Sequence, residues 1–261
     1  MDRDRRCALG PFTEPAARVN DTRTTTHPCT HMTRVGAADC GHCPVHDLAL
    51  FSDLRGKEAE TVHGRIDHYV YPPGAALYNE DGPADFVFTV RRGLVKLVDY
   101  AANGSERILR IHGRGDVIGL EAIARRRYRH GAVSIGEVEV CRIPASVLHA
   151  LGTTSPDIVD RLNERWEQTV EKADYWITAF STGSVRVRVA RLLLYLAEMQ
   201  GRAGGRGVEL LGGHDMAAIV GTTAESFSRE LSVLRRGGAL KRGEDHSYDC
   251  DIGALERMIA E

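Results

Sequence analysis

The sequence has no apolar run near the roughly 18 residues that crossing a bilayer requires, so no membrane span or membrane partner is expected. Its opening residues, Met1-Asp-Arg-Asp-Arg-Arg6, are charged and have no apolar core behind them. No secretory signal is therefore read, and a cytoplasmic location is expected. Net charge is also scarce, a formal −2, which alone neither favours nor excludes a nucleic-acid partner. There is no glycine motif that would cradle a nucleotide phosphate, no G-x-S-x-G and no H-E-x-x-H, so an enzyme is not expected. With 43% hydrophobic and 27% charged residues, a disordered or collagen-like chain is excluded.

Cysteine is present but not as a disulfide framework. Without an export signal the six cysteines should be reduced thiols or metal ligands. Four of them, Cys7, Cys29, Cys40 and Cys43, lie in residues 1–50, with His27, His31, His42 and His46. This stretch shows no sustained period of 2 or 3.6 and reads as an arm that folds around something or stays loose.

Residues 51–153 change character. Arg65–Tyr71 ends at Pro72-Pro-Gly74; Phe86–Val90 is followed by Arg91-Arg-Gly93 and then Leu94–Tyr100. Asn103-Gly104 is a hairpin turn signal, and Arg107–Ile111, Ala132–Ile135 and Val138–Ile143 follow. Many short strands at regular spacing predict an antiparallel barrel or sandwich.

Residues 154–183 predict one long helix, capped by Thr154 or Ser155, with Pro156 in its first turn. Ile158, Leu162, Trp166, Val170, Ala173, Ile177 and Phe180 fall in steps of three and four, an apolar seam along one face. The seam fits a coiled-coil dimer or a helix lying on its own barrel; the dimer is the reading adopted.

Residues 184–261 read as three helices and a hairpin. Val187–Met199 is amphipathic, Asp215–Val220 is short, Gly221 turns, Ala224–Arg235 is the next helix, and Ala239–Ile252 fits a two-stranded wing. Short helix, glycine turn and second helix is helix-turn-helix geometry. Between Ser184 and Arg242 there are ten basic and five acidic residues, a local surplus of five in a slightly acidic chain. That is the electrostatic footprint of a DNA-binding segment.

Asp215–Thr222 followed by Thr223-Ala-Glu-Ser-Phe-Ser-Arg229 resembles the recognition element of the CRP/FNR superfamily, and in particular the FNR (fumarate and nitrate reduction regulator) branch with its Glu-x-x-Ser-Arg signature. Arg110–Gly119 and Ser184–Leu194 are similar to that family too. The resemblance implies an α+β protein: a cyclic-nucleotide-binding-like β-roll, a long dimerisation helix and a C-terminal winged helix-turn-helix. It implies a homodimer on double-stranded DNA at a TTGAT-N4-ATCAA-type site, with RNA polymerase as a further partner.

Glu225, Ser228 and Arg229 are the candidate DNA-binding residues. They lie at i, i+3 and i+4, on one helix face. Arginine can donate a bidentate pair to guanine, glutamate can accept from cytosine N4, and a serine hydroxyl is adaptable. A competing reading makes Thr222-x-x-Glu225 a capping box, with Arg229 paired to Glu225.

For the signal, the Ala122–Ala132 stretch lacks the Arg-Ser-Ala or Arg-Thr-Ala of the cyclic-AMP branch, so no cAMP is expected; its arginine run reads as a surface loop. Cys40-Gly-His-Cys43 is a C-x2-C pair. Cys141, before Ile143-Pro144, aligns with the distant cluster cysteine of FNR proteins. Cys29, Cys40, Cys43 and Cys141 are thus the candidate ligands of a [4Fe–4S] cluster. The family usually carries its third arm cysteine after the C-x2-C pair, where this chain has Ala49, Leu50 and Phe51. Zinc on the Cys/His set, or a structural role for the thiols, remain alternatives.

Overall fold

The computed structural model describes residues 32–40, 43, 45, 62, 64–100, 106–124, 126–154, 156–201, 204–243 and 247–260. Cys7, Cys29, the four arm histidines and the Asn103-Gly104 turn lie outside them, as do the capping side chains of Thr154 and Ser155.

Seven antiparallel strands form one sheet: β1 (Thr33–Ala37), β2 (Asp67–Tyr71), β3 (Ala76–Tyr78), β4 (Phe86–Tyr100), β5 (Glu106–His112), β6 (Val117–Ile118) and β7 (Gly131–Pro144). The main path runs β1-β2-β7-β4-β5, with β3 on β7 and β6 on β4. Two pairs of segments separated by glycine in the sequence prove to be single long strands. In β4 the ladder survives past Gly93 through bulges on either side of Arg92. Gly93 has a φ of +86°, and a Cβ there would lie 2.4 Å from the carbonyl oxygen of Glu137. Only glycine lets β4 and β7 cross this closely.

The roll encloses Tyr71, Val87, Phe88, Val90, Val95 and Ile143, each at most 2% exposed. A short helix, α1 (Glu121–Ala124), follows β6. After β7 come two helices rather than one, α2 (Ala145–Thr154) and α3 (Pro156–Ser181). Proline at the start of α3 suits a first turn but not continuation from α2.

The predicted seam of α3 divides. Ile158 (0%) and Leu162 (8%) are buried in the roll's own core, and Phe180 joins a second core; Trp166 (38%), Val170 (55%) and Ile177 (62%) face outward. Of the two packings read from the sequence, the helix lying on its own barrel is the one Ile158 and Leu162 make.

The C-terminal part comprises α4 (Val185–Met199), α5 (Gly213–Ile219), α6 (Ala224–Arg236), the hairpin of β8 (Leu240–Arg242) and β9 (Tyr248–Cys250), and a helix α7 (Ile252–Ala260) absent from the sequence reading. Its core is not self-contained. Leu94, Val98, Ile108 and Ile111 of the roll share one cluster with Trp176 and Phe180 of α3, Leu192 and Leu196 of α4, and Phe227 and Leu234 of α6.

Polar contacts cross the same boundary. Lys96 of β4 pairs with Glu106 at 2.5 Å and with Asp215 of α5 at 3.2 Å. Arg110 donates to the Thr169 carbonyl at 3.1 Å, and Tyr195 to that of Ile111 at 3.2 Å. His112 is buried, with neither ring nitrogen hydrogen-bonded; its Nδ1 lies 3.5 Å from Asp116, which also pairs with Lys172 of α3.

Candidate functional site

The α5–turn–α6 unit presents one face of α6 to solvent. Gly221 makes the turn with a φ of +63°. Met216, Ala217 and Ile219 of α5 are buried in the same core as Phe227 and Leu234 of α6. The opposite side of α6 carries Glu225, Ser228 and Arg229, all exposed.

The helix cap corrects one expectation. Thr223, not Thr222, is the cap, and its hydroxyl accepts the Ser226 N–H at 3.2 Å. Glu225 therefore occupies the second helical position, and the box between Thr222 and Glu225 does not form. Its carboxyl is held below the usual range by its own backbone N–H and the Thr223 hydroxyl, with the charge of Arg229 adding. Arg229 is not consumed by Glu225 either: its Nη2 donates to Ser226 Oγ at 2.8 Å. The sequence reading had no role for Ser226; its place three residues after Thr223 and before Arg229 was the available signal.

The basic surplus is partly spent inside the fold. Arg188 donates to the carbonyls of Val220 (2.7 Å) and Gly183 (2.6 Å). Arg191 donates to those of Ala179 (3.0 Å) and Thr182 (2.9 Å), at the end of α3. Arg186 pairs with Glu230 at 2.9 Å. Among the described residues, Arg229, Arg235 and Arg236 on α6 and Lys241 and Arg242 on β8 are exposed, as are Arg206, Arg257 of α7 and the paired Arg186. Recognition helix and wing thus carry most of the outward positive charge, while the exposed arginine of α4, Arg186, is paired with Glu230.

A second group of candidate residues lies on the roll. Cys141 of β7 is buried, opposite His68 of β2 and Thr89 of β4. Strand β1 adds to the free edge of β2 and leads directly to Cys40 and Cys43, so part of the arm is built into the sheet. The Cys40 thiol is pushed up to about 11, by burial first and then by the charges of Cys141 and Cys43. Burial also raises Cys141, against the opposing charge of Arg91. Arg91 Nη1 donates to Cys141 Sγ at 3.5 Å. Cys141 thus sits beside Arg91, which sequence reasoning did not single out, and Cys40 packs against the same core of the roll. Cys29 lies outside the described residues. Among the described residues no three His, Cys, Asp or Glu side chains are arranged to hold one metal ion. Cys250 is buried in the wing, apart from this group.

Two family models match the chain. Residues 69–155 match the cyclic nucleotide-binding domain, and residues 187–258 match the Crp-like helix-turn-helix domain. The chain belongs to the CRP/FNR superfamily of DNA-binding transcription regulators.

Among CRP/FNR relatives, the transcriptional activatory protein AadR of Rhodopseudomonas palustris is 28% identical over 198 residues, covering 75% of this chain and 82% of that protein. The anaerobic regulatory protein of Pasteurella multocida is 22% identical over 208 residues, covering 78% and 76%. The structure of FixK2 from Bradyrhizobium japonicum superposes with a TM-score of 0.68 at 24% identity, covering 75% of this chain and 98% of that one. That likeness places the roll and helix-turn-helix in one shared fold. Among the described residues no helix is long and apolar enough to cross a membrane.

Proposed function

We propose that this regulator is FNR-like. In this reading a homodimer binds a TTGAT-N4-ATCAA-type site, reads it through Glu225, Ser228 and Arg229, and responds to oxygen or redox state through a [4Fe–4S] cluster on Cys29, Cys40, Cys43 and Cys141. The observation that carries the DNA reading is the exposed triad on α6, with outward bases on both helix and wing. A two-fold site needs two readers one DNA turn apart. Trp166, Val170 and Ile177, left in solvent along α3, form the apolar surface on which the second copy packs.

The sensor reading rests on Cys40 packing against the roll core that holds Cys141, on the Arg91 contact to Cys141, and on the C-x2-C pair that β1 leads into. A single zinc ion draws its ligands to within about 2.3 Å of one point, whereas a four-iron cube spreads its thiolates over separate corners. The sensor reading takes the second arrangement, as the resemblance to the FNR branch implies. When bound, the cluster supplies oxygen-sensitive redox chemistry. Arg91 offers a donor and a positive charge to the Cys141 sulfur, and β1 ties the arm thiols to the sheet. The name of the Pasteurella relative accords with this signal.

Cyclic AMP has no place in the reading. The chain lacks the Arg-Ser-Ala pattern, and the roll core holds Tyr78 stacked on Tyr128 at 3.8 Å and on Phe88 at 5.7 Å. The exposed Arg126, Arg127 and Arg129 are assigned to contact with RNA polymerase.

Anaerobic reconstitution tests the sensor: about four iron and four sulfide per chain are expected. Changing any of Cys29, Cys40, Cys43 or Cys141 to Ser should sharply lower both, while Cys7→Ser and Cys250→Ser should not. Wild-type protein that takes up no iron, and binds operator equally in air and under argon, would sink the oxygen-sensor reading and leave the DNA assignment standing.

A further inference from the structure

An arginine that reads guanine must present two N–H groups in parallel, and its long flexible chain has to be ordered first. In this fold Arg229 is already held. Its Nη2 donates to Ser226 Oγ at 2.8 Å, one turn earlier on α6. Ser226 is in turn fixed by the cap: its N–H donates to Thr223 Oγ1 at 3.2 Å, and the two hydroxyl oxygens lie 3.3 Å apart. The holding group is neutral, which matters here. Glu225 stands four residues before Arg229, and an ion pair between them would withdraw both from the bases. A hydroxyl orients the guanidinium without neutralising it.

We propose that Ser226 is a positioning residue for sequence reading: it holds the Arg229 guanidinium ready for guanine, and Thr223 holds Ser226, so that helix cap and base contact form one relay. This rests on the assignment of Arg229 to guanine and extends it to a residue outside the Glu225, Ser228, Arg229 triad.

The test compares full-length variants on a TTGAT-N4-ATCAA duplex and on one with the guanine of each half-site replaced. Dissociation constants are measured at one fixed salt concentration. Arg229→Ala should lower discrimination between the duplexes by about 10- to 100-fold, the span of a bidentate base contact. Ser226→Ala and Ser226→Val, the latter isosteric with Ser226→Thr, should each lower it by roughly three- to tenfold, the scale of the net contribution of one hydrogen bond. Ser226→Thr, which keeps the hydroxyl, should restore it, and Ser226→Ala should add nothing in the Arg229→Ala background. Three results overturn the relay: discrimination unchanged in Ser226→Val, affinity lowered equally for both duplexes as a phosphate contact predicts, or additive losses in the double variant. If Ser226→Ala does not fold, the Thr/Val pair decides alone. An Arg229→Ala variant that still discriminates removes the guanine assignment itself, a different result that also removes the relay.

Discussion

Two helices of the C-terminal domain, α4 and α6, are each rich in arginine, and they use it in opposite ways. On α4, Arg188 and Arg191 are drawn onto carbonyl oxygens at the ends of neighbouring helices, and Arg186 is paired with Glu230. On α6 the arginines project outward; Arg229 takes only a serine hydroxyl, and Arg235 lies 5.7 Å from the ring centre of Tyr248. Helix ends leave carbonyls without intrahelical partners, and a guanidinium with five donors is well suited to them. Counting charges along the sequence cannot separate these fates; accounting for unsatisfied backbone groups can.

The comparison is open to direct attack. The largest effect is expected where the arginine is spent internally. Arg188→Ala and Arg191→Ala should each cost about 1–3 kcal/mol of stability, because charged donors are lost from carbonyls at helix ends. Urea titration would measure this, and the salt dependence of operator binding should not change. The converse holds for the outward set. Arg236→Ala and Lys241→Ala should leave stability within about 0.5 kcal/mol of wild type while each lowers the slope of log affinity against log salt by up to about 1. If an α4 variant flattens that slope, or an α6 variant costs several kcal/mol, the division fails. Arg186→Ala should have the smallest effect on stability, below about 1 kcal/mol, since its pair with Glu230 is half-exposed.

A pH series sharpens the division, because arginines keep their charge throughout and any change must come from elsewhere. Burial lowers the His112 value below 6.5, outweighing the pull of Asp116. The unfolded chain then takes up the proton first. The His112 contribution is fully present above about pH 6.5 and declines as the pH falls below it. Burial pushes Asp116 up, but His112 and Lys172 overcome this and hold it at about 2. Its contribution is present above about pH 4 and is lost as the pH falls toward 2. Thermal melts between pH 7.5 and 5 should therefore show a decline that His112→Asn reduces.

Much of the architecture was legible. Alternating segments, the glycine turn at Gly221 and the basic recognition helix are local patterns, and local patterns survive in one dimension. What escaped depends on neighbours. Strand β1 is mostly exposed, so no alternation marks it; it exists because the edge of β2 is free to pair. The breaks read at Gly93 and Gly136 are bends within continuous strands, held by the partner strand rather than by their own sequence. The seam of α3 looked uniform, yet Ile158 and Leu162 meet the roll while Val170 and Ile177 do not. Arg91 reaches Cys141 from another strand, which spacing alone could not reveal. The sequence reading put the cap at Thr222, and backbone geometry puts it at Thr223.

The second hydrophobic cluster has a consequence for modularity. Since Leu94, Val98, Ile108 and Ile111 of the sheet are buried against α3, α4 and the helix-turn-helix, neither domain carries a complete set of apolar partners by itself. Cutting the chain near Gly183 would lay open Trp176, Phe180 and the inner face of α4 at once. The DNA-binding half is therefore a poor candidate for transplantation as an independent unit. Within each chain, heat should melt the two halves in one cooperative step rather than in sequence.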